Sequence, residues 1–148
     1  MTLAFLDANI PIYATGRPHP LREPCLRVLE LVSQQPDAFL TDAEVLQELL
    51  HRYLALRMWP EPGRPALASF ADLTRERVEP VYAVDVEEAA DLAIGHPRLS
   101  ARDLVHLAVM KRLGVTQIVT ADAGFDRVPD VERLEPARVA EWRGSVFQ

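Results

Sequence analysis

The feature that most constrains this chain is an alternation of short apolar runs, of strand length, with longer stretches of helical spacing. Residues 2–6 are apolar, are bounded by Asp7-Ala8-Asn9, and read as a buried strand. A short helix is expected over 10–14, broken by Gly16-Arg17-Pro18-His19-Pro20, and a second over 21–33. Residues 38–40 make a weak second strand. From 41 to about 59, Val45, Leu46, Leu49, Leu50, Tyr53 and Leu54 follow helical spacing. Pro60, Pro62 and Pro65 interrupt before another helix that runs to about 75. Residues 78–84 are a strand candidate that Pro80 demotes to an edge or irregular piece. Asp85 is expected to cap a helix through 94, ended by Gly95-His96-Pro97. The plainest helix runs from 100 to 113 and stops at Gly114. The plainest later strand is 116–120, followed by a last strand at 131–134 and a short helical end.

Strands that alternate with helices, with apolar runs on both faces, indicate a small parallel sheet between helical layers: a three-layer α/β/α sandwich. A length of 148 residues suits one domain, 1–148. No apolar run approaches the roughly 20 residues of a membrane helix. The start lacks a basic leader region, and Asp7 arrives before an apolar leader segment could finish. With a single cysteine, Cys25, an internal disulfide and a cysteine-built metal site are excluded, and a cytoplasmic protein is expected.

A formal net charge of -6 argues against a protein that holds nucleic acid by bulk positive charge. It leaves open acids gathered in one pocket around a hard cation. In parallel sheets ligands bind beyond the carboxyl ends of the strands. Asp7 ends the first strand and Asp122 lies two residues past 116–120, so the two carboxylates are expected on one rim.

Each acid also has a plain structural reading. Asp7 suits an Asx turn or helix cap. Asp103 lies in Ser100-Ala101-Arg102-Asp103, a capping-box spacing, where a first-turn carboxylate stays ionised and can also take a metal. Thr41-Asp42-Ala43-Glu44 has the same spacing and gives Glu44 a structural task, which leaves Glu48, one turn deeper, as the functional choice. Its structural partner would be Arg52 at i+4. Asp122 and Asp126 flank Ala123-Gly124-Phe125 and suit ordinary turn chemistry.

Together the strings Leu6-Asp7-Ala8-Asn9, Val45-Leu46-Gln47-Glu48-Leu49-Leu50, Ser100-Ala101-Arg102-Asp103-Leu104-Val105-His106 and Val119-Thr120-Ala121-Asp122-Ala123-Gly124-Phe125-Asp126 resemble the PIN-domain family. The likeness is strongest to its VapC toxins, the ribonuclease halves of type II toxin–antitoxin pairs, and covers nearly the whole chain. It implies a pocket of Asp7, Glu48, Asp103 and Asp122, with Asn9 and Thr120 as orienting polar groups and Asp126 as a fifth acid. Where many members carry alanine this chain has His106, which reads as a packed, hydrogen-bonded core histidine.

Oxygen ligands select Mg²⁺ or Mn²⁺. Such a site activates water for in-line displacement at phosphorus, and the family's products carry 3′-hydroxyl and 5′-phosphate ends. Asp7 and Asp103 would be direct ligands, Glu48 would complete the shell or orient water, and Asp122 would hold a looser metal. Arg17, Arg52, Arg102 and Arg127 are the candidates for positioning RNA phosphates, with Trp59 or Tyr13 for stacking. The resemblance further implies a homodimer and a small antitoxin partner whose groove the 60–65 break helps delimit.

Two other readings stand beside this one. A haloacid-dehalogenase-like phosphohydrolase also has an Asp after its first strand, but Asn9 stands where its second Asp is expected. The chain's one lysine, Lys111, falls inside a helix rather than before the late Asp pair. A catalytically silent binding module of the same fold is the other; the intact acid quartet speaks against it.

Overall fold

A computed structural model describes residues 3–146 of the chain; Thr2, where the first strand was expected to begin, lies outside them. Five strands, β1 (Ala4–Leu6), β2 (Phe39–Asp42), β3 (Val78–Glu79), β4 (Gln117–Val119) and β5 (Glu132–Leu134), form one sheet in the order β3-β2-β1-β4-β5. Every neighbouring pair is parallel, with Phe5 opposite Leu40 on one side and Ile118 on the other. Ala4, Phe5 and Leu6 are all fully buried, as a central strand covered on both faces requires.

The covering helices are α1 (Asn9–Thr15), α2 (Arg22–Gln34), α3 (Ala43–Ala55), α4 (Arg64–Leu73), α5 (Ala83–Gly95), α6 (Ala101–Leu113) and α7 (Val139–Val146). This is the expected three-layer arrangement. α2 packs against α1 and α7, while α5 packs against α6 and α6 reaches α3. Phe5, Phe39, Leu49, Ile118 and Phe125 fill the space between the layers. Among the described residues no helix is long and apolar enough to cross a membrane.

Five local expectations need correction. β2 extends through Asp42, because Thr41 and Asp42 pair with Val78 and Glu79, and the Thr41 hydroxyl donates to the Leu6 carbonyl at 2.9 Å. The cap of α3 is therefore Asp42, whose Oδ1 accepts from the Val45 N–H at 2.9 Å, and no Thr41–Glu44 box forms. α3 stops at Ala55, short of 59: Arg57 takes a φ of 57°, and the Met58 N–H turns back to the Tyr53 carbonyl at 2.8 Å. β3 shrinks to two residues at the sheet edge, where Pro80 costs least. At α5 the cap is Tyr82; Asp85 sits three residues on, accepts from the Tyr82 N–H at 2.8 Å and holds Arg112.

From β1 the chain moves outward to β2 and β3, then returns to the other side of β1 for β4 and β5. The strand order therefore reverses at the β1–β4 boundary. A crevice opens there beyond the strand ends, the place where parallel sheets bind ligands.

Candidate active site

Asp7 is the first residue past β1, and its amide still belongs to the sheet, donating to the Val119 carbonyl at 3.1 Å. The chain then turns into α1 with the Asp7 carboxylate anchored at both oxygens. Oδ1 accepts from the Ala8 N–H at 2.7 Å; Oδ2 accepts from the Thr120 hydroxyl at 2.7 Å and from the Asn9 amide at 3.4 Å. Asn9 also donates to Thr120 Oγ1 at 2.8 Å and accepts from the Ala121 N–H. Asn9 and Thr120 thus clamp the ends of β1 and β4 together and fix one carboxylate rotamer.

Three other acids reach the same space from different elements. Glu48 projects from the second turn of α3. Asp103 projects from the first turn of α6, where Ser100 Oγ accepts its backbone N–H at 3.2 Å. Asp122 opens the turn after β4, with its Oδ1 accepting from the Gly124 N–H at 2.8 Å. They line an open cleft of about 240 Å³ with Asp7, Asn9, Ile12, Tyr13, Arg52, Ser100 and Arg102. The cation facing Glu48 is Arg102, at 3.8 Å, and not Arg52 as the helical spacing suggested.

Charge is crowded here. Burial pushes the Asp7 carboxyl up to about 6; His106 and the Thr120 hydroxyl pull it down, while Asp103 and Glu48 add to the rise. Burial likewise raises Asp103, against the opposing pull of Ser100 and His106. Carboxylates in this condition gain from any cation placed among them.

The residues that spacing did not single out are Asp42 and His106. His106, on α6 one turn past Asp103, is completely buried. Its Nδ1 lies 2.8 Å from Asp42 Oδ2. Its Nε2 points at the acids, 3.8 Å from both Asp7 Oδ1 and Glu48 Oε2. Burial opposes a charge on this imidazole, but the hydrogen bond with Asp42, with Glu48 and Asp7 alongside, outweighs it and carries the group up to about 10. The expected packed, hydrogen-bonded histidine is found, with one face turned into the site. Asp42 ends β2 as Asp7 ends β1, and that parallel was the available signal.

Some expected residues stay outside the cleft. Asp126 is held by Arg133 through two bonds of 2.8 and 3.0 Å, and this cation keeps its carboxyl below the usual range. Arg17 and Arg127 are exposed, the first in the loop after α1 and the second in the turn before β5. Tyr13 lines the cleft and stacks on His19 with ring centres 4.7 Å apart, whereas Trp59 packs against the core. Lys111 pairs with Glu88 on α5. It lines a larger, mostly apolar cleft of about 410 Å³ at the opposite ends of the strands, which Asp130 alone supplies with a carboxylate.

Among the described residues, Glu48 Oε2 and His106 Nε2 are buried at this site without a hydrogen-bond partner. One donor atom each from Asp7, Asp103 and His106 lie within 4.8 Å of one another. Converging acids with orphaned donors fit a divalent cation, since buried polar atoms otherwise find partners.

Comparison with known proteins agrees with this geometry. The PIN domain family model matches residues 4–131. The VapC ribonuclease Mb1869c of Mycobacterium bovis is 39% identical over 132 residues, covering 89% of this chain and 99% of the relative. Ribonuclease VapC23 of Mycobacterium tuberculosis is 43% identical over 122 residues, covering 81% and 93%. Among solved structures, FitAB bound to the IR36 DNA fragment superposes with a TM-score of 0.66 at 20% identity, covering 91% of this chain and 96% of that one. Mycobacterium tuberculosis VapC20, described as a Sarcin-Ricin loop cleaving toxin, gives 0.64 at 20% identity, covering 86% and 98%. At that identity the structural likeness speaks for the fold.

Proposed function

Because the chain belongs to the PIN-domain family, in its VapC ribonuclease branch, we propose that it is the toxin of a toxin–antitoxin pair. It hydrolyses RNA phosphodiesters at a carboxylate-held Mg²⁺ or Mn²⁺. The observation that carries this is the meeting of Asp7, Glu48, Asp103 and Asp122 in one cleft at the point where strand order reverses. The whole chain, 1–148, acts as one such domain in the cytoplasm.

Asp7 and Asp103 hold the cation. A bound divalent ion lowers the pKa of water and neutralises charge on the phosphate. Thr120 and Asn9 keep Asp7 in a fixed orientation, so its lone pairs need no rearrangement on binding. Glu48 keeps one oxygen free of hydrogen bonds and would complete the cation's shell or orient the attacking water. Asp122, exposed at the rim, can serve a second, looser ion. Arg102 and Arg52 flank the acids and supply donors for the phosphates, which the acids alone would repel. The products are 3′-hydroxyl and 5′-phosphate ends.

The phosphohydrolase alternative loses its required lysine, since Lys111 is engaged with Glu88 at the far ends of the strands. For partners, Leu54, Leu56 and Met58 stand exposed beside the 60–65 break, which supports an antitoxin groove there. Val84, Val86 and Ile94, exposed on α5, support a self-association face.

The test is cleavage of single-stranded and structured RNA by purified, antitoxin-free protein. Cutting is expected with Mg²⁺ or Mn²⁺, absent with chelator, and reduced at least about 100-fold in Asp103→Asn, equivalent to roughly 2.7 kcal/mol of barrier. Undiminished cutting by that variant rejects the site.

A further inference from the structure

We propose that His106 is itself a metal ligand, through Nε2, and that the centre is a mixed nitrogen–oxygen site which prefers a transition ion such as Mn²⁺ to Mg²⁺. This rests on the reading of the cleft as a metal site and deepens it.

The first argument is orientation. Asp42 is completely buried and fixed twice: one oxygen caps α3 at Val45, the other meets His106 Nδ1 at 2.8 Å. The imidazole also rests on the Phe5 ring, with centres 5.1 Å apart. It therefore has no freedom to turn Nε2 anywhere but toward the acids. A carboxylate on the outer nitrogen of a histidine is the usual support of a metal-bound imidazole.

The second argument is distance. Nε2 stands 3.8 Å from Asp7 Oδ1 and 3.8 Å from Glu48 Oε2, too far for a hydrogen bond to either. Two donors that share an ion at about 2.1–2.2 Å, with an angle between 90° and 120°, lie about 3.0–3.8 Å apart. The gap between Nε2 and the carboxylates matches a cation between them better than direct contact. Nε2 and Glu48 Oε2 are also the two side-chain atoms left without partners here.

The third argument is chemistry. Mg²⁺ is a hard ion that favours oxygen and retained water. An imidazole donor shifts preference toward first-row transition ions. The group of Asp7, Asp103 and His106, with donors within 4.8 Å, offers two oxygens and one nitrogen.

The experiment loads metal-stripped, full-length protein with substoichiometric Mn²⁺ and records electron spin-echo envelope modulation. Binding itself is read from loss of the free-Mn²⁺ signal. The expected result is bound Mn²⁺ with ¹⁴N modulation that converts to a ¹⁵N pattern when only histidine is ¹⁵N-labelled. The modulation should vanish in His106→Gln, which should bind Mn²⁺ about 10-fold or more weakly, with a smaller loss for Mg²⁺. Asp42→Asn should weaken Mn²⁺ binding by about 10- to 100-fold; it keeps the experiment informative if His106→Gln does not fold. Bound Mn²⁺ without nitrogen coupling, as an imidazolium acting only as a counter-ion would give, overturns the inference and leaves the metal site standing. No bound Mn²⁺ at all overturns both.

Discussion

Asp7→Asn is expected to make the metal-free protein more stable while removing its capacity for metal. Asp7 is 3% exposed, and its carboxyl is raised from 3.8 to about 6. That rise of roughly two units, at about 1.4 kcal/mol each, means the folded state disfavours the ionised form by about 3 kcal/mol at neutral pH. Asparagine keeps a carbonyl for the Ala8 N–H, but its amide cannot accept from Thr120 and Asn9 as Oδ2 does. That loss costs about 1 kcal/mol. The net gain is about 2 kcal/mol, or a Tm rise of about 4–8 °C for a chain of this size. In Mn²⁺ at 100 times its Kd the wild type gains about 2.7 kcal/mol and the variant none, so the order closes or reverses. Thermal melts at pH 7.5, in chelator and in Mn²⁺, measure both effects. The sign with pH follows from linkage. The folded state holds the Asp7 proton to higher pH than the unfolded chain, so metal-free stability falls as pH rises from about 4 to about 6. The variant lacks that decline. An Asp7→Asn protein that melts below wild type in chelator would refute the claim that desolvated charge is the dominant strain at this site.

Asp126→Asn should leave RNA cleavage within about 2-fold and cost about 1 kcal/mol or less in urea unfolding, because Asp126 is itself solvent-exposed in its pair with Arg133. In chelator, stability should fall further as pH rises from about 6.5 toward 10: the folded state keeps the His106 proton up to about 10, so the stabilisation present at low pH is lost across that window. Melts of His106→Gln over the same range should be flatter. Gly63→Ala should cost about 1–3 kcal/mol, since its Cβ would meet Tyr53 Cβ at 2.6 Å and the Met58 carbonyl at 2.9 Å; denaturant titration measures it, with activity per folded molecule unchanged.

The three-layer sandwich was legible because each of its signs is local. The apolar run before Asp7, the Ser100 cap and the Gly114 stop declare β1 and α6 within a few residues each. Gly114 adopts a φ of 69°, the left-handed conformation that ends the helix. The preference for Glu48 over Glu44 came from helical spacing, and Glu48 lines the cleft while Glu44 does not. The start of α3 was misplaced for the opposite reason. Thr41 looks like the helix cap by spacing, but the β3 pairing holds it in the sheet and leaves the cap to Asp42.

By itself the sequence determined where strands and helices alternate and which carboxylates stand at strand ends, because covalent spacing sets both. Only the tertiary structure decided what those carboxylates face. Asp42 and His106 are 64 residues apart, Asp7 and Thr120 are 113 apart, and Asp126 meets Arg133 rather than the cleft. The first two pairings depend on β1 lying between β2 and β4, a strand order that no local periodicity encodes. The same order turns His106 from a core residue into a buried donor aimed at Asp7, Glu48 and Asp103.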